Sequence, residues 1–384
     1  MIYRDWERFW WSGITGPRSF VSLVSDQLRS GYIPVLKVPA DLPWRYGMRS
    51  AIEAEFKEKN RPNETYISYI DASDQMEDGE DVGRFLLRRF SSPAVQKGYR
   101  ERASGTIQNY ILKSGALKDH VVWVKGLTPE RAAKWTAFCR KYETQGAHDG
   151  LFVLEAPEDL HVLEAGRMRV LDYAASVTRF DMQIFTSFLL SDHTDCDDLW
   201  KRYLSVLVSQ LCLEDAEVAE QLLARTDLRT ADPLEGVRAV EETGWFDQRG
   251  ESPDHVLSLW RRGDAEALNR RVWAAQVQAL FPLIELERSR IIAILSERIA
   301  ACLARETITQ FDQVLTEPKD VELGTLVYLM STASPECDYR VPVPEPELRE
   351  TIRFFHRCRN KLAHGTCCTP EEVGTLLETA RYDT

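Results

Sequence analysis

The chain has 384 residues, 44% of them hydrophobic and 28% charged, with a formal net charge of -12. That length accommodates two or three domains, each large enough for its own core. The acidic balance argues against a broad duplex-DNA surface, which needs clustered cations to neutralise phosphates, and leaves room for a small RNA-binding cleft.

The first residues are charged (Arg4, Asp5, Glu7, Arg8), so no secretory signal is expected there. Trp6, Phe9 and Trp10 fall at i, i+3 and i+4, a spacing that suits a core better than a base-stacking platform. Gly13-Ile14-Thr15-Gly16-Pro17-Arg18 precedes an amphipathic helix with Phe20, Leu23, Val24 and Leu28, and Gly31 then leads into a first strand, Ile33–Val38. Further runs rich in β-branched, aromatic or Leu residues lie at Tyr66–Ile70, Val121–Val124, Leu151–Leu154 and Met168–Leu171. The segments near 45–59, 80–112 and 129–145 suit helices. Strands alternating with helices predict an α/β domain over residues 1–175, with a five-stranded, mostly parallel sheet covered on both faces.

This order of features resembles AAA+ and STAND-type P-loop ATPases, in which a short Gly-containing box and a helix also precede the first strand. The motifs depart from the resemblance. Laid against G-x-x-x-x-G-K-[ST] from Ser12, the Gly13 segment has Ser for the first Gly, Pro17 for the second and Arg18 for Lys, and it follows a helix rather than a strand. The stretch after Ile33–Val38, running from Pro39 to Gly47, has no Gly-rich run, no Lys and no Ser or Thr; two prolines remove backbone donors. Val121–Val124 ends in Lys125, where the resemblance implies a magnesium-binding acid. Asp71 ends the second strand, and Glu155 closes the fourth at a position the resemblance links to phosphate sensing. An ATPase-like fold without hydrolysis or a cofactor is expected. Arg45 and Arg49 either meet an anion near a helix N-terminus or are solvated.

From about Ala174 the strand signals fade, and residues 176–265 read as a helical, acidic intermediate region with a helix over Asp198–Leu213. Between Leu211 and His255 twelve Asp and Glu stand against four Arg and no Lys. Turn signals at Asp232-Pro233 and Gly250–Pro253 leave a winged-helix-like subdomain and a helical linker both open. The acidic run is either a solvated face or a surface for a basic partner. Residues 266–384 read as a helical bundle. Val277, Leu280, Ile284, Ile291, Leu295 and Ile299 mark one face of a long segment that Pro282 is expected to kink or split. A helix near 322–331 follows. A Pro-rich connector, Val341–Pro346, then enters a helix carrying Leu348, Ile352, Phe355 and Leu362, which Gly365 can stop. Thr369-Pro370-Glu371-Glu372 has the form of a capping box opening the last helix.

The string Arg359-Asn360-Lys361-Leu362-Ala363-His364-Gly365 joins a cation and an imidazole on neighbouring turns, a pairing able to hold a phosphate and move its protons. The string and the helix order resemble HEPN domains, helical bundles that are often metal-independent ribonucleases. The resemblance implies a dimer in which Arg359 orients the scissile phosphate, His364 serves as general acid or base and Asn360 fixes the geometry. Arg357 and Lys361 would draw RNA in, and a 2′,3′-cyclic phosphate would be the product. The competing reading has Asn360 and His364 capping helix ends in an interaction module. Two functions follow. One is a bacterial defence or toxin-type effector whose ATPase-like domain regulates a ribonuclease. The other is a non-catalytic assembly or adaptor subunit that docks on a protein partner and oligomerises through its C-terminal domain.

The eight Cys form no C-x-x-C pair, and with the charged N-terminus they favour the cytoplasm. Cys358, Cys367 and Cys368 flank the motif, as incidental thiols or as a redox switch. The seven His (120, 148, 161, 193, 255, 356 and 364) lack zinc-ligand spacing, so no structural metal is expected. No apolar run reaches the roughly 18 residues of a membrane span.

Overall fold

The computed structural model describes residues 5–59, 65–100, 104–142, 149–191, 196–247, 249–333 and 339–380. Arg4, His148, His193 and Cys337 lie outside the described residues. The chain forms two compact units. The first comprises Met1–Phe185 with Glu214–Glu217 and Gln248–Pro253; the second comprises Thr186–Leu213, Val218–Asp247 and Asp254–Thr384.

In the first unit, β1 (Ile33–Val38), β2 (Tyr66–Asp71), β3 (His120–Lys125), β4 (Leu151–Pro157) and β5 (Met168–Asp172) make one parallel sheet, in the order β2-β3-β4-β1-β5. β4 is buried along all but its last residue, as a strand covered on both faces must be, while β2 at the edge is only partly covered. Side-chain alternation divides the layers. Ile33, Val35, Val122, Val124, Phe152, Leu154 and Ala156 face a core shared with α4 (Val82–Phe90), α5 (Ile107–Ser114) and α6 (Pro129–Arg140). By the same parity Leu36, Trp123, Val153 and Glu155 point to the other face. There α1 (Trp6–Gly13), α2 (Thr15–Arg29) and α3 (Arg45–Lys59) pack on one another. Trp10 is fully buried beside Phe185. A five-strand parallel sheet of this kind fits a P-loop-like α/β fold.

The expected helical stretch at 80–112 is broken. Ser92 caps a new helix at Pro93, and Thr106 caps α5 by accepting from the Asn109 N–H.

In the second unit, α7 (Asp198–Cys212) packs along α8 (Ala265–Ile294), which α9 (Ser296–Arg305) follows. α10 (Leu323–Leu329), α11 (Pro346–Ala363) and α12 (Pro370–Ala380) come after it. Pro282 does not split the long helix. α8 runs through it, and the break falls at Leu295, whose N–H bonds back to the Ile291 carbonyl. Leu280 and Ile284, fully buried, hold the helix on both sides of the proline, so packing outweighs the lost backbone bond. The described part of the acidic region is helical, at Ala216–Arg225, Pro233–Glu241 and Val256–Arg261. α11 starts on Pro346 in its first turn and stops before Gly365, which has φ +76°. Thr369 and Glu372 cap α12 reciprocally, each accepting the other's N–H.

Gln276, buried in α8, both accepts from the Cys368 N–H (2.7 Å) and donates to the Cys368 carbonyl (2.9 Å). It thereby satisfies the turn between α11 and α12. Gln276→Ala strands both backbone groups and should cost about 1–3 kcal/mol, read as a lower urea midpoint.

Candidate functional site

Strand connectivity locates the crevice where a parallel sheet binds ligands. From β1 the chain leaves toward β2 at the far edge, and from β4 it leaves toward β5 on the opposite side. The carboxyl ends of the adjacent strands β1 and β4 therefore form a topological switch point. Arg45, Arg49 and Glu155 meet there.

Glu155 is almost fully buried at the end of β4, beside Leu36 of β1. Arg45 Nη1 donates to its Oε1 at 2.6 Å; Arg49 donates from Nη2 to Oε1 (2.8 Å) and from Nε to Oε2 (2.9 Å). The Trp123 indole N–H donates to Oε2 at 3.0 Å. Burial alone would raise this carboxyl, but the Arg49 and Arg45 guanidiniums outweigh it and hold it below the usual carboxylate range. The two arginines are one helical turn apart on α3, so both reach the same carboxylate.

The loop between β1 and α3 has the wrong polarity for phosphate. A phosphate cradle turns backbone N–H groups inward. Here the Pro39 and Ala40 carbonyls point at Arg45 Nη2, at 2.6 and 3.0 Å. Two N–H groups at the start of α3 already have carboxylate partners: Trp44 donates to Glu217 at 3.0 Å, and Gly47 donates to Glu7. Burial, then Asp5 and Glu217, push the Glu7 carboxyl up. A Cβ at position 47 would crowd the Glu7 side chain, so the glycine lets the carboxylate approach closely.

The acidic segments close the arrangement. Asp41 accepts from three successive N–H groups, Gly250 (2.6 Å), Glu251 (3.2 Å) and Ser252 (2.9 Å). Arg249 bonds the Asp41 carbonyl (3.1 Å), Asp215 (2.9 Å) and Glu217. At the end of β3, Lys125 pairs with Asp71 of β2 at 3.0 Å.

In the second unit the motif residues lie on α11 and just beyond it. Arg359 Nη2 is 3.8 Å from Glu322 Oε2. Asn360 Nδ2 is 2.9 Å from Nε2 of His356, a residue the sequence reading had not singled out. Lys361 pairs with Glu372 of α12 at 2.7 Å. Arg357 is exposed over the Phe354 ring. His364 is the exposed C-terminal cap of α11, with its backbone N–H on the Asn360 carbonyl. Asn360 is thus joined to His356 on its own helix face rather than to His364. Spacing could have disclosed this, because 356, 359 and 360 stand at i, i+3 and i+4. Cys358 and Cys368 are buried free thiols in mutual contact.

Among the described residues no group of three or more His, Cys, Asp or Glu is placed to hold a metal ion. No described helix is long and apolar enough to cross a membrane.

No protein-family model and no curated protein matches the chain. Among solved structures, a chain from the structure of Drosophila ORC bound to GC-rich DNA and Cdc6 aligns over 98% of this chain and 72% of its own length. The identity is 10% and the TM-score 0.26. Sheet order and register, not that alignment, define the fold described above.

Glu155→Gln should destabilise the first unit by about 2–4 kcal/mol, allowing for the part-exposed Arg45. The Glu155 carboxyl is held low in the folded state, so its contribution is present above the carboxylate range and is lost as pH falls through the folded value. The stability gap between wild type and Glu155→Gln should therefore narrow in acid, read from urea titrations at several pH values. Glu155→Ala frees the two guanidiniums, and inorganic phosphate should raise its melting temperature and not that of the wild type.

Proposed function

We propose that this protein is a non-hydrolysing adaptor or assembly subunit. Its first unit, of AAA+/STAND-like type, docks on a protein partner without nucleotide, and its helical unit serves oligomerisation. One observation carries this reading: the Glu155 carboxylate is held by Arg45 and Arg49 at the mouth of β1 and β4. A nucleotide would have to displace that carboxylate and also Glu217 and Glu7 from the start of α3. The loop after β1 turns acceptors rather than a donor cradle toward that position, with the Pro39 and Ala40 carbonyls on Arg45. The unit is internally neutralised and needs no phosphate to hold its shape. A larger assembly of the defence type is the setting that the family resemblance implies.

A second reading, a metal-independent ribonuclease, is favoured by a separate observation. The Arg359 side chain is about one-third exposed (32%) and His364 is exposed, so solvent reaches both a guanidinium and an imidazole at one end of α11. In that chemistry the RNA 2′-hydroxyl attacks the adjacent phosphorus and the 5′-oxygen leaves, giving a 2′,3′-cyclic phosphate and a 5′-hydroxyl. Arg359 would stabilise the charge that develops on the phosphate.

Calorimetric titration of the purified protein with magnesium-ATP should show no binding, and phosphate release should stay at background. Saturable micromolar binding would sink the adaptor reading as stated. Incubation of mixed-sequence RNA in EDTA addresses the second reading: cleavage lost in both Arg359→Ala and His364→Ala, with folding intact, would establish it.

A further inference from the structure

The motif string invites pairing Arg359 with His364, but helical geometry separates them. Five residues turn a helix through about 500°, which leaves the two side chains roughly 140° apart around α11. The imidazole on the face of Arg359 is His356, one turn back, with Asn360 beside it. His356 is half-buried, and Asn360 Nδ2 lies 2.9 Å from its Nε2. Gly324, in the first turn of α10, packs against the ring: a Cβ there would come within 3.3 Å of Nε2. Burial and then Arg359 hold the imidazole below its usual range, which favours the neutral ring. A neutral ring offers one donor and one acceptor.

Glu322 stands opposite, at the N-cap of α10. Its 3.8 Å separation from Arg359 exceeds hydrogen-bond length, and both side chains are 32% exposed. Such a pair is weak and exchangeable.

We propose that His356, Arg359 and Asn360 form a binding face for a phosphodiester of single-stranded RNA, with Glu322 as the internal counter-ion that RNA displaces. The choice of ligand rests on the ribonuclease reading. Arg359 takes the phosphate. The imidazole and amide, carrying both donors and acceptors, suit the ribose 2′-hydroxyl, the group that separates RNA from DNA. His356 is a positioning residue here and is assigned no proton-transfer step.

The test uses the full chain and a fluorescein-labelled, mixed-sequence single-stranded RNA, read by anisotropy in EDTA at fixed salt, beside DNA of the same sequence. Glu322→Gln should tighten RNA binding several-fold. Arg359→Ala and His356→Ala should weaken it by about tenfold. His356→Gln, which keeps a donor and an acceptor at similar size, should retain most of the affinity and controls for folding. Unchanged affinity in His356→Ala or Glu322→Gln would overturn the proposal, as would equal affinity for DNA. RNA cleavage measured on the same proteins separates the two ideas. The expected binding pattern without cleavage supports the binding face and removes the ribonuclease reading. Cleavage that depends on Arg359 and His364 but is indifferent to His356, with His356→Ala binding unchanged, keeps the ribonuclease reading and removes the face.

Discussion

A buried carboxylate at the end of a central strand governs the first unit. Glu155 cannot be charged in that setting without cations, and cations cannot reach it unless α3 begins where it does. The demand propagates outward. Arg45 must fold over the Pro39 and Ala40 carbonyls, so the loop turns its acceptors inward. Trp123 must direct its indole N–H at the same carboxylate, which places the ring on the α3 face of β3. Tyr69 of β2 stacks at a tilt on Trp123 and donates its hydroxyl to Glu53 of α3, continuing the coupling to the edge of the sheet.

The helix dipole at the start of α3 poses a second electrostatic demand, and the acidic region meets it. A helix N-terminus attracts negative charge. Here Glu217 and Glu7 supply it through the Trp44 and Gly47 N–H groups. Arg249 in turn balances Glu217 and Asp215. Part of the acidic excess between Leu211 and His255 is therefore neither a solvated face nor a surface for a basic partner. Asp215 and Glu217 are internal ligands of the crevice.

Much of this architecture was legible locally. The first strand has the bounds that its apolar run predicts, and the other four differ by a few residues at their ends. Polar closure of those runs also marked Asp71 and Lys125 as strand-end residues, whereas β4 runs two residues past Glu155. What could not be read was pairing across sequence distance. The bonds from Gly250, Glu251 and Ser252 to Asp41 span some 210 residues, and no periodicity encodes them. The Arg45–Glu155 pair was half visible. A lone Glu ending a run of Leu, Phe and Val is costly to bury, and two Arg at i and i+4 after the first strand were the available cations. Of the two outcomes expected at Pro282, a kink or a split, the split does not occur: packing along α8 keeps the helix continuous.

The same distinction between linear and spatial order applies to α11. In the string, Arg359 and His364 bracket Asn360 and look like one constellation. On the helix, Asn360 turns back to His356, Lys361 turns across to Glu372, and His364 ends the helix. Glu372 also accepts the Thr369 N–H, so Lys361 is tied to the cap of α12. It is therefore poorly placed to draw in RNA without loosening that cap. Within one chain, then, an anion at Arg359 has His356 as its imidazole neighbour. His364, at the cap of α11, is turned away from that face by the helix.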